Sequence, residues 1–244
     1  MKKKTTLDKI LQTQGFGTRK ACRQLILGGK VSIAGETVTG FGDALETAGL
    51  SFTVHGETWA YREQVYIVLN KPPNFECSRK PSHHAGILTL LPEQFLQRDV
   101  QPVGRLDHDT TGLLLLSDDG AFIHAQSHPK RHVPKVYVAT TAEPITPALL
   151  AQLRGGVQLA DESAPMAAQA RQIDTHRLEI ILEQGKYHQV KRMLAAAGNH
   201  CAALCRVAIG GLTLDALALE EGEWRYLDPD QLALLSGTRG CSLP

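Results

Sequence analysis

Several features that define common protein classes are absent from this 244-residue chain. It contains no run of about 18 apolar residues, so no transmembrane helix is predicted. Three lysines near the N-terminus are not followed by an apolar segment, which is unlike a signal peptide. No GxGxxG follows a predicted strand, and no GxxxxGK occurs, so the usual glycine-rich nucleotide-binding loops are missing.

Cysteine is scarce and has no framework spacing. The five cysteines are Cys22, Cys77, Cys201, Cys205 and Cys241. Their number is odd and a chain of this size does not need disulfides, so free thiols in a reducing cytoplasm are the simplest interpretation. Cys201 and Cys205 could be imagined as metal ligands together with His188 and His200. The absence of a CxxC pair argues against such a site, and no metal is expected.

Positive charge is concentrated at one end of the chain. The whole sequence has a net charge of +1 and a pI of about 7.7, which is not typical of a nucleic-acid-binding protein. Residues 1–40, however, contain eight lysines and arginines against two acidic residues, a net charge of +6. This distribution favours a phosphate-binding module at the N-terminus.

Residues 5–50 have the pattern of a helix pair followed by a hairpin. The apolar spacing of Leu7, Ile10 and Leu11 predicts a short first helix, and Thr18 is a candidate N-cap for the second. The second helix carries Arg19, Lys20 and Arg23, of which Arg19 and Arg23 are four residues apart and share an exposed face. The polar segment at residues 55–63 is predicted to be a linker.

The remainder of the chain has more predicted strands than helices. Buried or alternating apolar patterns occur at Val65–Leu69, around Tyr137 and at 178–182. A loop rich in proline, histidine and serine extends to about residue 86. Because there is no regular βαβ rhythm, we expect an α+β fold rather than a doubly wound sheet.

One segment, GRLDHDTTGLLLLSDDG at 104–120, combines acidic turns with a short apolar run. Leu113–Leu116 is bounded by glycine and polar residues and predicts a strand buried on both faces. Asp107 and Asp109 therefore lie in the loop that enters a core strand. A carboxylate in that position needs a partner, and Arg105 is the nearest candidate in sequence.

A second segment, EQGKYHQVKRMLAAAGN at 183–199, predicts an amphipathic helix. Its apolar stripe is Val190, Met193, Leu194 and Ala197. The polar side chains His188, Lys191 and Arg192 are offset from the stripe. The helix is expected to start after Gly185, where its free N–H groups could meet a phosphate.

These segments resemble the motifs of pseudouridine synthases that act on ribosomal RNA, of the RsuA type. The 104–120 segment is similar to the family motif GRLDxDTTGLLLLTDDG. The segment KVYV at 135–138 is similar to the motif KxYxV, and NKP at 70–72 resembles the family's NKP motif. EQGKYHQVKRM at 183–193 resembles the motif EGxYHQVKRM, and RVAIGGLTL at 206–214 resembles RxxIGGLxL. Residues 5–50 resemble the small RNA-binding domain of ribosomal protein S four, through LDKIL, TRKACRQLI and GKVSIAGETV.

The resemblance implies roles for particular residues. Asp107 corresponds to the catalytic aspartate, Tyr137 to the tyrosine that lies against the target uracil, and Lys191 to the basic residue that pairs with the aspartate. The residues expected to bind substrate or RNA are Arg105, Arg19, Lys20, Arg23, His188 and Arg192. For Lys71, in the NKP motif, we expect structural support of the site.

The resemblance also implies an architecture and a reaction. We expect an S four-like RNA-binding domain and linker at 1–60 and a catalytic domain with a mixed, mainly antiparallel sheet at 61–244. The enzyme would convert a specific uridine of small-subunit (16S) rRNA to pseudouridine without a cofactor or metal. Its expected partner is ribosomal RNA, free or within an assembling small subunit. A cytoplasmic monomer with no membrane association is expected.

Other functions remain open from the sequence alone. The enzyme could act on large-subunit rRNA, or the chain could be a non-catalytic RNA-binding ribosome-assembly factor. The second alternative would be favoured by loss of Asp107, Tyr137 or Lys191, and all three are present. A metal-dependent transferase or nuclease could use Asp107 and Asp109 as a DxD pair, and insensitivity to EDTA would argue against it.

Overall fold

The computed structural model describes residues 4–127 and 132–236, and its contacts divide the chain into two compact units. The first unit comprises the chain up to Val65 together with Leu88–Val100. The second comprises Tyr66–Ile87 and the chain from Gln101 onward. Within the described ranges, no helix is long and apolar enough to cross a membrane.

The first unit is built from short helices and antiparallel strands. Its helices are α1 (Leu7–Thr13), α2 (Arg19–Leu27) and α3 (Glu93–Gln97). Its strands are β1 (Lys4–Thr6), β2 (Val31–Ile33), β3 (Glu36–Thr37), β4 (Ala44–Glu46), β5 (Ser51–Val54) and β6 (Glu57–Ala60). β1 pairs with β4, and the other strands form a sheet in the order β3-β2-β5-β6. The predicted helix pair and hairpin are confirmed.

Helix α2 begins as its sequence predicts. The backbone N–H of Ala21 donates a hydrogen bond of 3.3 Å to the Thr18 hydroxyl, which caps the helix. Cys22 and Ile26 are fully buried on the inner face and pack in one core with Ile10 of α1. The opposite face carries the basic residues.

The predicted linker at 55–63 is wrong, because most of this segment belongs to the sheet. His55 and Gly56 have positive φ angles of 50° and 88° and make the turn after β5. Strand β6 then pairs with β5 along its whole length, and Trp59 packs against the core. The polar composition of the segment is that of an exposed edge strand rather than a flexible connection.

A buried carboxylate, Asp8, neutralises part of the basic face of α2. Its Oδ2 atom accepts hydrogen bonds from Nε of Arg19 and Nε of Arg23, each 2.8 Å long, and its Oδ1 atom accepts one of 2.5 Å from the Thr6 hydroxyl. Burial alone would raise the pKa of Asp8, but these hydrogen bonds hold it well below its usual value. Both arginine side chains nevertheless remain about half exposed.

The segment Leu88–Val100 is anchored to the rest of the first unit by close polar contacts. Arg98 donates hydrogen bonds to the Gln14 side-chain oxygen (2.8 Å) and to the Arg62 carbonyl (3.0 Å). Gly15 has a φ of +88°, and a Cβ at this position would lie 2.1 Å from the carbonyl oxygen of Gln94 in α3. Only glycine permits this approach of the two segments.

The second unit contains a large mixed sheet with helices around it. Its strands are β7 (Tyr66–Lys71), β8 (Phe75–Glu76), β9 (Ala85–Gly86), β10 (Gln101–Val103), β11 (Thr111–Ser117), β12 (Lys135–Thr141), β13 (Gln169–Gln172), β14 (Arg177–Leu182), β15 (Cys201–Ile209), β16 (Leu212–Thr213) and β17 (Trp224–Tyr226). Its helices are α4 (Gly120–Ser127), α5 (Pro147–Gly155), α6 (Gln189–Ala196), α7 (Leu214–Leu217) and α8 (Pro229–Leu234). A 3-10 helix spans Ile87–Leu90.

The main sheet has the order β13-β14-β12-β15-β11-β7-β17, with β10 attached to β11 and β16 to β15. Strands β11 and β15 are parallel, and the other pairs of this sheet are antiparallel over the described residues. This is the mixed, mainly antiparallel sheet of the predicted α+β fold.

Strand β11 is the buried centre of this sheet. Leu113–Leu116 are each no more than 1% exposed, so the predicted burial on both faces is confirmed. Gly112 lies where β11 meets β15. Its φ is +96°, and a Cβ would lie 2.3 Å from the Arg206 carbonyl oxygen. The loop that carries Asp107 and Asp109 therefore enters the sheet through a point that only glycine can occupy.

Lys71 ties the end of β7 to the same loop. Its side chain is fully buried, and its Nζ atom donates hydrogen bonds to the carbonyl oxygens of Pro72 (3.0 Å), His108 (3.0 Å) and Thr110 (2.9 Å). Burial lowers the pKa of this lysine. The contacts with His108 and Thr110 hold the backbone on both sides of Asp109, which is the structural support that the sequence predicts for Lys71.

The loop after β7 is organised by Glu76. Its carboxylate accepts hydrogen bonds from the backbone N–H groups of His83 (2.8 Å), His84 (2.9 Å) and Ser82 (3.0 Å). These hydrogen bonds lower the pKa of Glu76 to about 2. The polar loop is thus closed by one acidic side chain.

Replacing Asp8 should destabilise the first unit in a pH-dependent way. The pKa of Asp8 is lower in the folded than in the unfolded chain, where it is about 3.9, so its stabilisation is present above that pH and is lost as pH falls. Asp8→Asn should therefore lower the free energy of unfolding by about 2 kcal/mol at pH 7 and by less at pH 3.

The measurement is urea denaturation followed by Trp59 fluorescence in a Trp224→Phe background. Asp43→Asn, which changes an exposed carboxylate of the same unit, is the control and should have little effect. If Asp8→Asn lowered the free energy of unfolding equally at pH 7 and pH 3, the proposed role of the Asp8 charge would be contradicted.

Removing the Lys71 ammonium should destabilise the second unit. Lys71→Met keeps most of the buried volume but leaves three carbonyl groups, of which that of Thr110 is buried, without their donor, so we expect a loss of about 3 kcal/mol. Urea denaturation followed by Trp224 fluorescence in a Trp59→Phe background measures it. Lys80→Met, at an exposed lysine of the same unit, is the matched control. A Lys71→Met protein as stable as this control would show that the hydrogen bonds contribute little.

Candidate active site

The centre of the candidate site is the carboxylate of Asp107, in the loop between β10 and β11. His188 Nε2 lies 3.1 Å from its Oδ1 atom, and Lys191 Nζ lies 3.2 Å from its Oδ2 atom. The Asp107 side chain is 24% exposed. Each oxygen therefore has a basic partner, while the carboxylate remains accessible to a substrate.

Lys191 also contacts a second carboxylate, and more closely. Its Nζ atom lies 2.6 Å from Asp109 Oδ1. Burial alone would lower the pKa of Lys191, but the hydrogen bond to Asp109 and the charge of Asp107 raise it above its usual value. Burial would likewise raise the pKa of Asp109, but the same ion pair lowers it. The predicted contact between Lys191 and Asp107 is present, and the sharing of the ammonium with Asp109 was not predicted.

Helix α6 starts later than its sequence suggested. It begins at Gln189 rather than directly after Gly185, because His188 adopts a left-handed conformation with φ 47°. Burial of Val190 and Met193 confirms the predicted apolar stripe. The late start leaves a loop before the helix, and this loop brings His188 to Asp107.

Tyr137 lies beside this constellation, on β12. The side chain is 8% exposed and borders a cavity of about 60 Å³. Arg105, Asp107 and His188 border the same cavity. An aromatic ring and an accessible carboxylate on one cavity can hold a planar base while a carboxylate acts on the attached sugar.

Arg105 does not pair with Asp107, although it is the nearest basic residue in sequence. It is exposed at the cavity, and over the described residues the ion pairs of Asp107 are those with His188 and Lys191. The reason is the direction of the Asp107 carboxylate, which faces α6 and the loop before it, where Lys191 and His188 contact its two oxygens.

An acidic turn at Asp161 and Glu162 neutralises two other basic residues near the site. Glu162 pairs with Lys186, and Asp161 pairs with Arg192. Arg192 also donates a hydrogen bond of 3.2 Å to the Tyr187 carbonyl. Arg192, predicted to bind RNA, thus has a carboxylate partner in the structure.

The other predicted RNA-binding residues, Arg19, Lys20 and Arg23, lie on α2 in the first unit. Lys20 is exposed, and the two arginines share Asp8. Within the described ranges, no three histidine, cysteine, aspartate or glutamate side chains are grouped so as to hold a metal ion.

Sequence reasoning missed one buried cation, Arg206. It is 3% exposed, and its Nε atom donates a hydrogen bond of 2.8 Å to the Leu113 carbonyl. Arg206 lies directly opposite Tyr137 in the pairing of β15 with β12. The available signal was an arginine within the otherwise apolar segment RVAIGGLTL, which the motif match alone did not connect to a role.

Comparison with known proteins identifies the same two parts of the chain. The pattern of the RNA pseudouridylate synthase family matches residues 65–196, and that of the S4 domain matches residues 5–40. The chain is 37% identical to ribosomal small subunit pseudouridine synthase A of Vibrio cholerae, over 93% of this chain and 97% of the relative. It is 35% identical to the protein of that name in Escherichia coli, over 93% of this chain and 98% of the relative.

Two further matches extend along the chain. An uncharacterised RNA pseudouridine synthase of Bacillus subtilis is 35% identical, over 94% of this chain and 98% of that protein. A crystal structure described as a pseudouridylate synthase has a TM-score of 0.66 and 34% identity, and covers 94% of this chain and 99% of that chain. With a family pattern over more than half of its length and relatives along nearly all of it, the chain belongs to the RNA pseudouridylate synthase family.

Proposed function

We propose that this enzyme converts a specific uridine of small-subunit (16S) rRNA to pseudouridine. The names of the Vibrio cholerae and Escherichia coli relatives support the choice of RNA. The observation that carries the chemistry is the placement of Asp107, paired with His188 and Lys191, on one cavity with Tyr137. The reaction is an isomerisation, in which the glycosidic C–N bond breaks and a C–C bond to carbon 5 forms. One proton leaves carbon 5 and one is gained at the freed nitrogen.

In this proposal Asp107 acts on the ribose of the target nucleotide. It serves either as the nucleophile at the anomeric carbon or as the base that removes a ribose proton. Lys191 orients the carboxylate through their ion pair, and Tyr137 stacks on the uracil while the base rotates. Everything that leaves the substrate returns to it, so the proposed chemistry requires no cofactor.

The remaining basic residues bind RNA without reading its sequence. Arg19, Lys20 and Arg23 supply phosphate contacts from the S4-type domain, for which we propose residues 1–60. Within the catalytic domain, residues 61–244, Arg105, His188 and Arg192 contact the strand that carries the target. The enzyme acts in the cytoplasm as a monomer, during assembly of the small ribosomal subunit.

Mapping of pseudouridine tests the proposal directly. Pseudouridine is mapped in all ribosomal RNA from cells with and without the gene, and one site in 16S rRNA should disappear without it. Loss of a pseudouridine in large-subunit rRNA instead would show that the enzyme acts on that RNA. An unchanged map would favour a non-catalytic role. Restoration by the wild-type gene is the control.

Replacing Asp107 should abolish the reaction but not binding. Asp107→Asn keeps the shape of the side chain and removes its charge, so pseudouridine formation should fall by at least about 10⁴-fold while RNA affinity changes little. Asp109→Asn is the matched control, because it removes the neighbouring carboxylate that also contacts Lys191. Its turnover should fall by less than about tenfold. Comparable losses in the two variants, or dependence on a metal that EDTA removes, would favour the DxD alternative.

Replacing Lys191 separates its charge from its packing. Lys191→Met keeps the stem but leaves Asp107 and Asp109 close together without their shared cation, so turnover should fall by about 100-fold or more. The pKa of Asp109 should rise, because burial, which raises it, is no longer offset by the ion pair with Lys191. Lys191→Arg should retain most of the activity. Single-turnover assays and NMR titration measure the two effects, and wild-type turnover in the Met variant would contradict the role of the charge.

A further inference from the structure

A second cavity of the catalytic unit, about 160 Å³ in volume, lies where two sheet strands separate. Strands β11 and β15 are parallel neighbours only at Thr111–Gly112, opposite Cys205 and Arg206. Beyond this point the two strands are no longer paired, and Leu115 of β11 and Ile209 of β15 both line the cavity. The space results from the topology of the sheet, and it is larger than a single water molecule requires.

The side chains around this cavity are unusually positive. Arg105, Lys135, Lys186 and Arg206 line it, and no aspartate or glutamate does so among the described residues. The residues outside the described ranges include no aspartate or glutamate either. Lys186 is paired with Glu162, but no ion pair within the described ranges joins a carboxylate to Lys135 or Arg206.

Arg206 is held in place by a backbone carbonyl, and neither Arg206 nor Lys135 is paired with a carboxylate among the described residues. Arg206 is 3% exposed and uses Nε to bind the Leu113 carbonyl, whereas its buried Nη2 atom has no hydrogen-bond partner among the described residues. Burial, together with the charge of Arg206, lowers the pKa of Lys135 to about 8. A buried guanidinium beside a partly buried ammonium, with no carboxylate paired to either among the described residues, is unfavourable, so an anionic ligand would be stabilised here.

The cavity adjoins the candidate active site. Arg105, Tyr137, Gly185 and Lys186 line both cavities. Lys135 is two residues before Tyr137 on β12, and Arg206 is opposite Tyr137 on β15. An anion held by Lys135 and Arg206 would therefore lie beside a base that stacks on Tyr137.

We propose that this cationic pocket, defined by Lys135 and Arg206, binds one phosphodiester group of the RNA strand next to the target uridine. The inference rests on the proposed function, because RNA supplies a phosphate at a fixed distance from every base. The buried Nη2 atom of Arg206 and the Lys135 ammonium donate to the phosphate oxygens, and Arg105 closes the pocket from the exposed side. The contact fixes the register of the strand on the enzyme rather than the identity of the base.

The test is a thermodynamic cycle between one lysine and one phosphate. The probe is a 16S rRNA fragment, chosen as the tightest binder among fragments that tile the molecule. Each phosphate is replaced in turn by a neutral methylphosphonate, and the affinity of every RNA is measured for wild type and Lys135→Met. Methylphosphonate at one position of the RNA should lower its affinity for the wild-type protein by about tenfold. The same replacement should have little effect on the affinity for Lys135→Met.

Lys80→Met is the matched control, since Lys80 is exposed in the same unit and outside the pocket. Lys80→Met should lose about tenfold in affinity for the RNA with that methylphosphonate, as the wild-type protein does. Thermal unfolding of each variant is checked first, and Lys135→Gln, which keeps a polar tip, is measured alongside Lys135→Met. Lys135→Met should also reduce the salt dependence of binding by about 0.7 in the log–log slope if the strand is single at that point.

Losses that are equal for wild type and Lys135→Met at every position would overturn the proposal and show that the pocket holds only water. The cycle measures binding alone, so its outcome is separate from the proposed function. Conversion of the unmodified fragment to the pseudouridine form by wild-type enzyme reports the function. A positive cycle without conversion would support the phosphate contact and show that this fragment alone is not a substrate.

Discussion

The arrangement of the site depends on one buried cation, the Lys71 ammonium. Its hydrogen-bond acceptors are backbone carbonyls rather than a carboxylate, and two of them belong to the loop between Asp107 and β11. On the other side of that loop, Gly112 allows β11 to approach the backbone of β15. A loop held at both points has little freedom to move, so the Asp107 carboxylate is positioned before substrate arrives. Such preorganisation is what electrostatic catalysis requires.

In the catalytic unit, the basic side chains that contact Asp107 and the acidic turn are paired with carboxylates, whereas those of the adjoining cationic pocket include two that are not, among the described residues. Lys191 serves two carboxylates, and the acidic turn at Asp161 and Glu162 occupies Arg192 and Lys186. Polyanionic RNA would compete with that turn for its basic partners, which are partly exposed. By contrast, no carboxylate within residues 4–127 and 132–236 is paired with Lys135 or Arg206 and would have to be displaced. The free enzyme therefore presents two kinds of basic group, one already neutralised and one available to a phosphate.

Local patterns in the sequence were sufficient for much of the fold. The apolar run of β11, the Thr18 cap and the stripe of α6 each depend on neighbours a few residues away, and each was predicted. The contacts that were missed join distant parts of the chain. Asp8 pairs with the arginines of α2, and Asp109 pairs with Lys191, 82 residues later in the chain. The predicted linker is an edge strand because its residues pair with β5. Spacing does not encode such pairings, since tertiary packing selects them.

Lys135 and Arg206 do not take part in the ion pairs of Asp107, and this division has a mechanistic consequence. A base that leaves its stack and enters the Tyr137 cavity costs a few kcal/mol, and this cost must be offset by interactions elsewhere on the RNA. Contacts with phosphates can supply that free energy equally in the ground state and the transition state. In the proposed mechanism the pair of Asp107 and Lys191, in contrast, acts where charge changes during the reaction. The strand pair of β12 and β15 serves the binding of RNA in this proposal, because it carries Tyr137 beside Lys135 and Arg206.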